Sequence, residues 1–408
     1  MMQPTITTDL CLKCNICTSV CPVASVTDDF LGPKAVGPQA ARYQHPLQPQ
    51  PIPSLTWCSG CGTCSRVCPH GVAVAEINIQ AKAHLTKQAK TNLRDHLISR
   101  PELLACLAKP INFLANKSMS FGLTRWFLEK SLAISSSAPL PTFARTPLRS
   151  QLSSKCVDIP PDPGPDADQV VAFFHGCSSN YYEPEIGKLA VKILEQLGQK
   201  VIIPPQKCCG LPLQSNGLFK AATRYAQANI SLLAPFARRG IPIVGASTSC
   251  TLSIKHDYRT VLGLQSDESH LVASSTFDFF EFLTVQLAHE IDQLDLKPLI
   301  ADALYHPPCQ LRSHGIGIPA LTILQRIPGL QLHLSESECC GIAGTYGIKQ
   351  EKFQVAYEVG KPLFAQAQQL EVDFVLSDSE TCRWWISKHT GLPVYHPLEI
   401  MAKAMDIL

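Results

Sequence analysis

Eight cysteines near the start of the chain constrain its fold more than any other feature of the sequence. They form two copies of the spacing C-x-x-C-x-x-C-x-x-x-C-P, one from Cys11 to Pro22 and one from Cys58 to Pro69. A tight loop that supplies three thiolates, with a fourth on the next helical turn before a proline, is typical of a [4Fe–4S] cluster. Cys-x-x-Cys pairs also bind zinc, but two complete copies with the proline favour iron–sulfur clusters.

In two-cluster ferredoxins, the fourth cysteine of each run binds the cluster of the other run. That rule predicts two sets of ligands in this chain. They are Cys11, Cys14, Cys17 and Cys68 for one cluster, and Cys58, Cys61, Cys64 and Cys21 for the other. We therefore predict an all-α, two-cluster ferredoxin-like domain over residues 1–81.

The composition indicates a folded protein of several domains. The chain has 408 residues, of which 45% are hydrophobic and 17% charged, and this length is too great for one ordinary core. The start, MMQPTITTDL, has no apolar signal segment, so we expect the 18 cysteines to be reduced and the clustered ones to bind metal. No run of about 18 apolar residues suggests a membrane span. The net charge of +2 argues neither for nor against nucleic acid, which is not an expected partner.

The second half of the chain contains an internal repeat. Cys177, Cys208–Cys209 and Cys250 recur as Cys309, Cys339–Cys340 and Cys382, since 309 − 177 = 132, 339 − 208 = 131 and 382 − 250 = 132. Strand-like and helix-like runs alternate around them in the same order, which favours parallel α/β units with the cysteines just after strand ends. We predict two tandem α/β domains, residues 166–290 and 291–408.

Each repeat contains the tripeptide Cys-Cys-Gly. Neighbouring side chains in regular structure point in different directions, and the glycine (Gly210 or Gly341) allows a left-handed turn that could bring both sulfurs to one centre. The repeats therefore supply eight further candidate cofactor ligands. They are Cys177, Cys208, Cys209, Cys250, Cys309, Cys339, Cys340 and Cys382. The alternative is that one repeat is scaffold only or binds zinc.

The segment between these parts, residues 82–165, is basic and amphipathic. Residues 82–155 contain 12 Lys and Arg against three acids, a net charge of 12 − 3 = +9. Apolar residues recur at helical spacing in two stretches. They are Leu103, Leu104, Leu107 and Ile111, then Leu123, Trp126 and Phe127. The pattern predicts helices that contact an anionic membrane surface, or else pack on the cluster domains or on a partner.

Other candidate residues carry less weight. Cys106 and Cys156 stand alone and are expected to be inert thiols. His175 and His306 each precede the first cysteine of a repeat, and either a structural role or a hydrogen bond to cluster sulfur fits that position.

Residues 315–320 match a dinucleotide-binding fingerprint in letters only, because they follow no buried strand and contain a proline. We expect no flavin or nicotinamide and no catalytic residue on this chain, so that a partner must supply the two-electron chemistry.

The motifs FFHGC (173–177), KCCGLPL (207–213) and CCGIAGTYG (339–347) resemble those of the Cys-Cys-Gly proteins. With both ferredoxin motifs, the sequence is similar to the C subunits of anaerobic glycerol-3-phosphate dehydrogenases. That resemblance implies an electron-transfer subunit of anaerobic respiration, peripheral to the cytoplasmic face of the inner membrane, that passes electrons from a flavin-containing partner subunit to membrane quinone.

Two other members of the same wider family remain as alternatives. One is an iron–sulfur subunit of a lactate or glycolate oxidase, and the other is a disulfide reductase that resembles heterodisulfide reductase. The fullest family motif has a fifth cysteine for a noncubane cluster, but this chain has Ser247 and Ser379 there, and Gln310 where relatives often carry histidine. With four thiols in each repeat, we expect one or two ordinary [4Fe–4S] clusters in addition to the N-terminal pair.

Overall fold

The N-terminal part of the chain is helical. The computed structural model describes residues 10–43, 50–88, 92–161 and 169–407. The first part contains α1 (Ile16–Ser19), a π-helical turn (Ala35–Gln39), α2 (Ala40–Arg42), a 3-10 turn (Pro53–Trp57), α3 (Thr63–Arg66) and α4 (Val74–Gln88). Between residues 10 and 161, the described part of the chain forms no strand beyond isolated bridges at Ile134 and Cys156. The predicted boundary at residues 165–166 lies outside the described residues.

The basic segment forms short helices that pack against the rest of the protein. They are α5 (Leu93–Ile98), α6 (Pro101–Ala108), a 3-10 turn (Lys109–Ile111), α7 (Asn112–Ser120), α8 (Gly122–Leu132), α9 (Leu148–Gln151) and a 3-10 turn (Ser153–Lys155). The side chain of Leu148 is fully buried, and Arg149 donates a hydrogen bond to the carbonyl of Pro204 at 2.8 Å. We call residues 92–161 the linker segment.

Two parallel four-stranded sheets follow, which confirms the predicted α/β fold. The strands of the first sheet are β1 (Val170–Phe174), β2 (Lys200–Ile202), β3 (Ile243–Gly245) and β4 (Thr276–Asp278), in the spatial order β2-β1-β3-β4. Those of the second are β5 (Ala301–Tyr305), β6 (Leu330–Leu334), β7 (Phe374–Leu376) and β8 (Val394–Tyr395), in the order β6-β5-β7-β8. The identical order and parallel pairing show that the cysteine repeat is a repeat of structure.

Helices connect these strands and cover the sheets. In the first unit they are α10 (Ser178–Tyr181), α11 (Pro184–Gln196), α12 (Leu211–Ser215), α13 (Phe219–Ala237), α14 (Thr248–Leu252) with a π-helical turn (Ser253–Asp257), α15 (Tyr258–Thr260), α16 (Asp267–Ser274), α17 (Phe279–Val285) and α18 (Ala288–Asp292). In the second they are α19 (Cys309–His314), α20 (Pro319–Leu324), α21 (Gln350–Gln369), α22 (Glu380–Thr390) and α23 (Pro397–Ala404).

Helix α11 shows how the local sequence produces these elements. Pro184 occupies the first turn, where its fixed φ is favourable and its missing N–H costs nothing. Ile186, Leu189, Ile193 and other residues on one face are buried, as their spacing predicts. The chain then turns at Gly198, whose φ of 81° is easily reached only by glycine.

The two α/β units share one hydrophobic core. Val171 and Phe173 of β1 lie in the same packed cluster as Ala303 and Tyr305 of β5, while the intervening Ala172 faces a separate cluster beneath α13. Alternate residues of a strand point to opposite faces, so the inner faces of both sheets point to a common interior. The units therefore form one body in which the carboxyl ends of both sheets have fixed relative positions.

Within the described ranges, every helix is too short or too polar to cross a bilayer.

Arg94 holds the linker segment to the second α/β unit. Its side chain is only 5% exposed and donates two hydrogen bonds of 2.8 Å to Glu351, plus one of 3.0 Å to the carbonyl of Ala133. Since Glu351 is half-exposed, the pair is partly screened, and we expect its loss to cost about 1–3 kcal/mol locally.

We predict that Arg94→Gln makes the linker segment roughly tenfold more sensitive to limited chymotrypsin digestion, because each 1.4 kcal/mol is a factor of ten in local opening. The matched control is Arg145→Gln, an exposed arginine of the same segment. Equal digestion of both variants would show that the Arg94 contact does not hold the segment in place.

Candidate metal centres

Both N-terminal cysteine loops use the same unusual backbone. Lys13 and Asn15 have positive φ angles of 60° and 73°, and Gly60 and Gly62, at the equivalent positions of the second motif, have 73° and 80°. Left-handed residues wrap a short loop tightly, and they cost about 1 kcal/mol each at a non-glycine position. The repeated conformation therefore indicates a requirement of the loop itself, namely that three thiols point inward to one centre.

The structure brings cysteines of the two motifs together across the sequence. Cys21 lies beside Cys58 and Cys61, away from the loop of its own motif. Cys68 of the second motif lies with Cys11 and Cys17 of the first. We name two groups from this placement: group A is Cys11, Cys14, Cys17 and Cys68, and group B is Cys21, Cys58, Cys61 and Cys64.

Electrostatics within these groups suit a metal. Burial, reinforced by the nearby Cys61 and Cys58, raises the pKa of the Cys21 thiol to about 12. Burial likewise raises the pKa of Cys64, and Cys61, Cys58 and Cys21 add to it. Several buried sulfurs cannot ionise together without a compensating charge, and an iron centre provides that positive charge. In group A, burial raises the pKa of Cys17, and the nearby Cys11, Cys14 and Cys68 add to it. The residues of both groups therefore fit an iron–sulfur cluster.

The first Cys-Cys-Gly site, group C, consists of Cys177, Cys208, Cys209 and Cys250. The Sγ atoms of Cys177 and Cys208 are 3.6 Å apart, and Cys209 hydrogen-bonds with both Cys208 and Cys250. Gly210 has a φ of 85°, the left-handed turn that the sequence predicts. This turn places adjacent cysteines around one centre.

Polar side chains hold the backbone of group C. Asn229 donates a hydrogen bond to the carbonyl of Cys208 at 3.1 Å, and Tyr258 donates one to the carbonyl of Cys209 at 2.9 Å. The carboxylate of Glu102, from α6 of the linker segment, accepts the backbone N–H of Cys208 at 3.2 Å. Glu102 is a site residue that sequence reasoning missed, because it lies 106 residues from its partner and belongs to no motif.

The second site, group D, consists of Cys309, Cys339, Cys340 and Cys382. The Sγ atoms of Cys340 and Cys382 are 2.9 Å apart. Gly341 has a φ of 98°, and a side chain there would collide with the carbonyl of Ala356. Glycine is therefore required here both by the turn and by close approach of the α21 backbone.

The two repeats share an electrostatic pattern. The first cysteine of each Cys-Cys pair has a pKa well below its usual value, because neighbouring thiols donate hydrogen bonds to it. Cys208 accepts from Cys177 and Cys209, and Cys339 accepts from Cys309 and Cys340. Each site thus favours a thiolate at the same position of its loop. A thiolate is the form in which cysteine binds metal.

His306 distinguishes group D from group C. Its ring is fully buried, its Nδ1 lies 3.3 Å from the hydroxyl of Ser335, and a ring nitrogen lies within 4.8 Å of the sulfurs of Cys340 and Cys382. In group C, Nδ1 of His175 instead lies 2.6 Å from the carbonyl of Gly176. A hydrogen bond from Cys340, together with one from His306, lowers the pKa of Cys382 to about 6, although burial acts in the opposite direction. His306 is thus placed to hydrogen-bond or bind a centre in group D.

The two serines at the positions of a fifth ligand bond elsewhere. Ser247 donates to the carboxylate of Glu380 at 3.4 Å, and the hydroxyl of Ser379 lies 3.2 Å from that of Thr381. Both are the residues that precede a cysteine-bearing helix, α14 and α22. The thiol groups C and D therefore contain four cysteines each. Cys106 and Cys156 lie outside all four groups. The thiol of Cys106 lies 3.8 Å from the hydroxyl of Tyr181, and that of Cys156 lies 3.6 Å from the carbonyls of Arg149 and Leu152.

Group B is adjacent to group D. Cys309 and Cys339 belong to the same packed cluster as Cys58 and Cys61, and the charges of Cys61 and Cys339 affect one another. The hydroxyl of Ser313 in α19 lies between the two groups, 2.9 Å from the carbonyl of Cys309 and 3.4 Å from that of Cys61. Arg66 of α3 also forms an ion pair with Glu338, next to Cys339. Cys64 of group B also packs in one cluster with Cys17 of group A, so groups A, B and D form a continuous series of thiol groups.

Two known domain families match parts of this chain. Residues 7–72 match the 4Fe-4S dicluster domain, and residues 171–255 and 303–387 match the Cysteine-rich domain. The C subunit of the anaerobic glycerol-3-phosphate dehydrogenase of Escherichia coli K12 is 33% identical over 97% of this chain and 98% of its own length.

The B subunit of the fumarate reductase (CoM/CoB) of Methanothermobacter marburgensis is 25% identical, over 91% of this chain and 66% of its own. A crystal structure of a hypothetical protein from Helicobacter pylori aligns with a TM-score of 0.38 and 14% identity, over 81% of this chain and 68% of that one.

Combined variants can test whether the fourth cysteine of each ferredoxin motif binds the cluster of the other motif. We expect Cys21→Ala to lose about four iron, and Cys21→Ala with Cys58→Ala to lose no more, because both cysteines would serve one cluster. Cys21→Ala with Cys11→Ala should instead lose about eight iron. Iron and sulfide analysis of anaerobically purified protein measures this, and the opposite pattern would assign Cys21 to the cluster of its own motif.

Proposed function

Because this iron–sulfur protein belongs to the family of anaerobic glycerol-3-phosphate dehydrogenase C subunits, we propose that it carries electrons from a flavin-containing partner subunit towards membrane quinone. The observation that carries this proposal is the series of adjacent thiol groups from A through B to D. An electron-transfer protein needs its centres close to one another, and a chain built only to store metal does not. Each of the four thiol groups has a proposed role in this transfer.

Groups A and B would each hold one [4Fe–4S] cluster, and groups C and D one further iron–sulfur cluster each. When bound, such clusters accept and release single electrons, so they can divide the electron pair of a flavin into single steps. The contribution of the chain is to place the thiolates, exclude water from them and set their hydrogen bonds. Asn229, Tyr258 and Glu102 do this for the loop of group C, and His306 is positioned to do it for group D.

The electron donor and the acceptor are tested together. We predict that glycerol 3-phosphate reduces the clusters only when the flavoprotein partner is present, and that lactate and glycolate do not. Cys208→Ser and Cys340→Ser should each lower quinone reduction at least about tenfold while groups A and B still become reduced, since serine is a poor ligand for iron–sulfur clusters. Anaerobic absorption and EPR spectroscopy with purified partner would follow both steps.

The matched control is Cys156→Ser, because that thiol lies outside the four groups. Reduction by lactate or glycolate instead would support the alternative oxidase. Disulfide reduction by this chain alone would support a reductase of the heterodisulfide type, which the serines at positions 247 and 379 disfavour. Unchanged quinone reduction in both cysteine variants would make groups C and D scaffold only.

The linker segment supports a peripheral position on a membrane. Leu123 is 83% exposed, Phe127 62% and Trp126 56%, all on α8, and Leu107 and Phe113 of the preceding helices are also exposed. Exposed apolar and aromatic side chains on short helices are typical of segments that lie in a membrane interface. The basic charge contributes less than its total suggests, since Arg94 and Arg125 are used in internal contacts.

We therefore predict that Trp126→Glu combined with Phe127→Glu lowers binding to anionic liposomes at least about tenfold, because two aromatic side chains lose their apolar contact with lipid. Flotation at low and high salt measures this, and salt should weaken the remaining binding by screening the basic residues. Ile300→Glu, at an exposed apolar residue of the second α/β unit, is the matched control. Liposome binding that is absent or unaltered in the aromatic variant would indicate that these helices contact a partner protein instead.

A further inference from the structure

A cavity of about 650 Å³ lies where the α/β units, the N-terminal domain and the linker segment meet. Its wall includes cysteines of three groups, among them Cys61 of group B, Cys250 of group C and Cys382 of group D. A site that binds a small organic ligand usually has a volume of roughly 300–1,000 Å³, and this cavity, part of which the clusters of these groups would fill, falls in that range.

The linker segment supplies an entirely apolar part of this wall. Leu97 of α5, Leu104 of α6 and Leu128 and Leu132 of α8 line the cavity, and every other residue that the segment contributes is also apolar. The remaining wall is more polar and includes Arg66, His256 and Arg312. The cavity thus combines an apolar surface with a few polar groups, which suits a ligand with a polar ring and an apolar tail.

The same helices have an apolar outer surface. On α8, Leu128 and Leu132 face the cavity, whereas Leu123, Trp126 and Phe127 are exposed. On α6, Leu104 faces the cavity and Leu107 is exposed. These short helices therefore present apolar side chains both to the cavity and to the outside, so a hydrophobic molecule finds apolar contacts on either side of them.

We propose that this cavity binds the ring of a membrane quinone, which enters from the lipid between the helices of the linker segment. The proposal rests on the proposed function and adds the site of its last step. One quinone takes up two electrons, supplied one at a time from the flavoprotein partner, and two protons from water, and it leaves as one quinol. Cysteines of groups B, C and D line the cavity, which places the bound ring next to group D, the last member of the series A, B, D.

A polar disulfide substrate fits this cavity less well. Such a substrate carries charged groups that only the remaining wall, with Arg66, His256 and Arg312, could pair, so the apolar part lined by the linker segment would be left without a matching group. A quinone needs no more than hydrogen-bond donors for its two carbonyl oxygens. The apolar wall and the apolar outer surface thus both favour the quinone.

The test uses the full chain with its clusters reduced chemically and the excess reductant removed. Stopped-flow absorption follows reoxidation by duroquinone, a small fully substituted quinone that requires no membrane. We expect Leu128→Glu and Leu104→Trp each to raise the half-saturating duroquinone concentration at least tenfold, the first by placing a charge in the apolar wall and the second by filling the cavity. Ile300→Glu, outside the cavity, should have no effect.

Reoxidation by ferricyanide, which needs no apolar site, should be equal in all variants and shows that their clusters are intact. An azido derivative of the quinone should also label peptides between residues 97 and 143, where the linker segment lines the cavity. If duroquinone reoxidises all variants equally, or the label lies elsewhere, the cavity is not the quinone site and the proposed function stands. If ferricyanide but not duroquinone reoxidises the native chain, quinone is not the acceptor and the proposed function itself is wrong.

Discussion

The mutual repulsion of closely packed thiolates is the constraint on which the rest of this structure depends. Cysteines of groups B, C and D converge in the interior, where burial and neighbouring sulfurs oppose the ionisation of Cys21, Cys64, Cys177 and Cys209, among others. Such groups are stable as ligands only when a cationic centre offsets the charge, and only when the backbone holds the sulfurs in place beforehand. The left-handed turns at Gly60, Gly62, Gly210 and Gly341 provide that placement.

The shared core between the sheets fixes the groups relative to one another. Since the inner faces of both sheets pack into one cluster, groups C and D cannot move apart without exposing residues such as Phe173 and Tyr305. The repeats are equivalent in strand order but have different neighbours. Group D contacts group B through Cys61 and Ser313, whereas the loop of group C is held by Glu102 of the linker segment. A duplicated fold has thus become two distinct sites, one adjacent to the N-terminal centres and one tied to the linker segment.

The linker segment combines two roles that its amphipathic pattern left open. Arg94, Leu148 and Glu102 attach it to the α/β units, which agrees with helices that pack on the cluster domains. The exposed aromatic side chains of α8 favour a second contact, with lipid or with a partner. A segment of 70 residues with short helices has few buried positions of its own, so its conformation depends on these attachments. The cavity-facing surface and the exposed surface of the segment therefore both depend on these attachments to the α/β units.

The sequence by itself determined the local features: the thiol spacing, the left-handed glycines of the Cys-Cys-Gly loops, the repeat of α/β units and the buried face of α11. Each depends on residues close together in the chain, where periodicity and turn chemistry are informative. Short strands such as β8, with two residues, have too little pattern to predict. Only the tertiary structure decided that Cys61 meets Cys339, that Glu102 meets Cys208, that His306 faces Cys382 and that the linker segment closes a cavity. These contacts join residues far apart in sequence, and they form because burial summed over the whole chain selects which faces pack together.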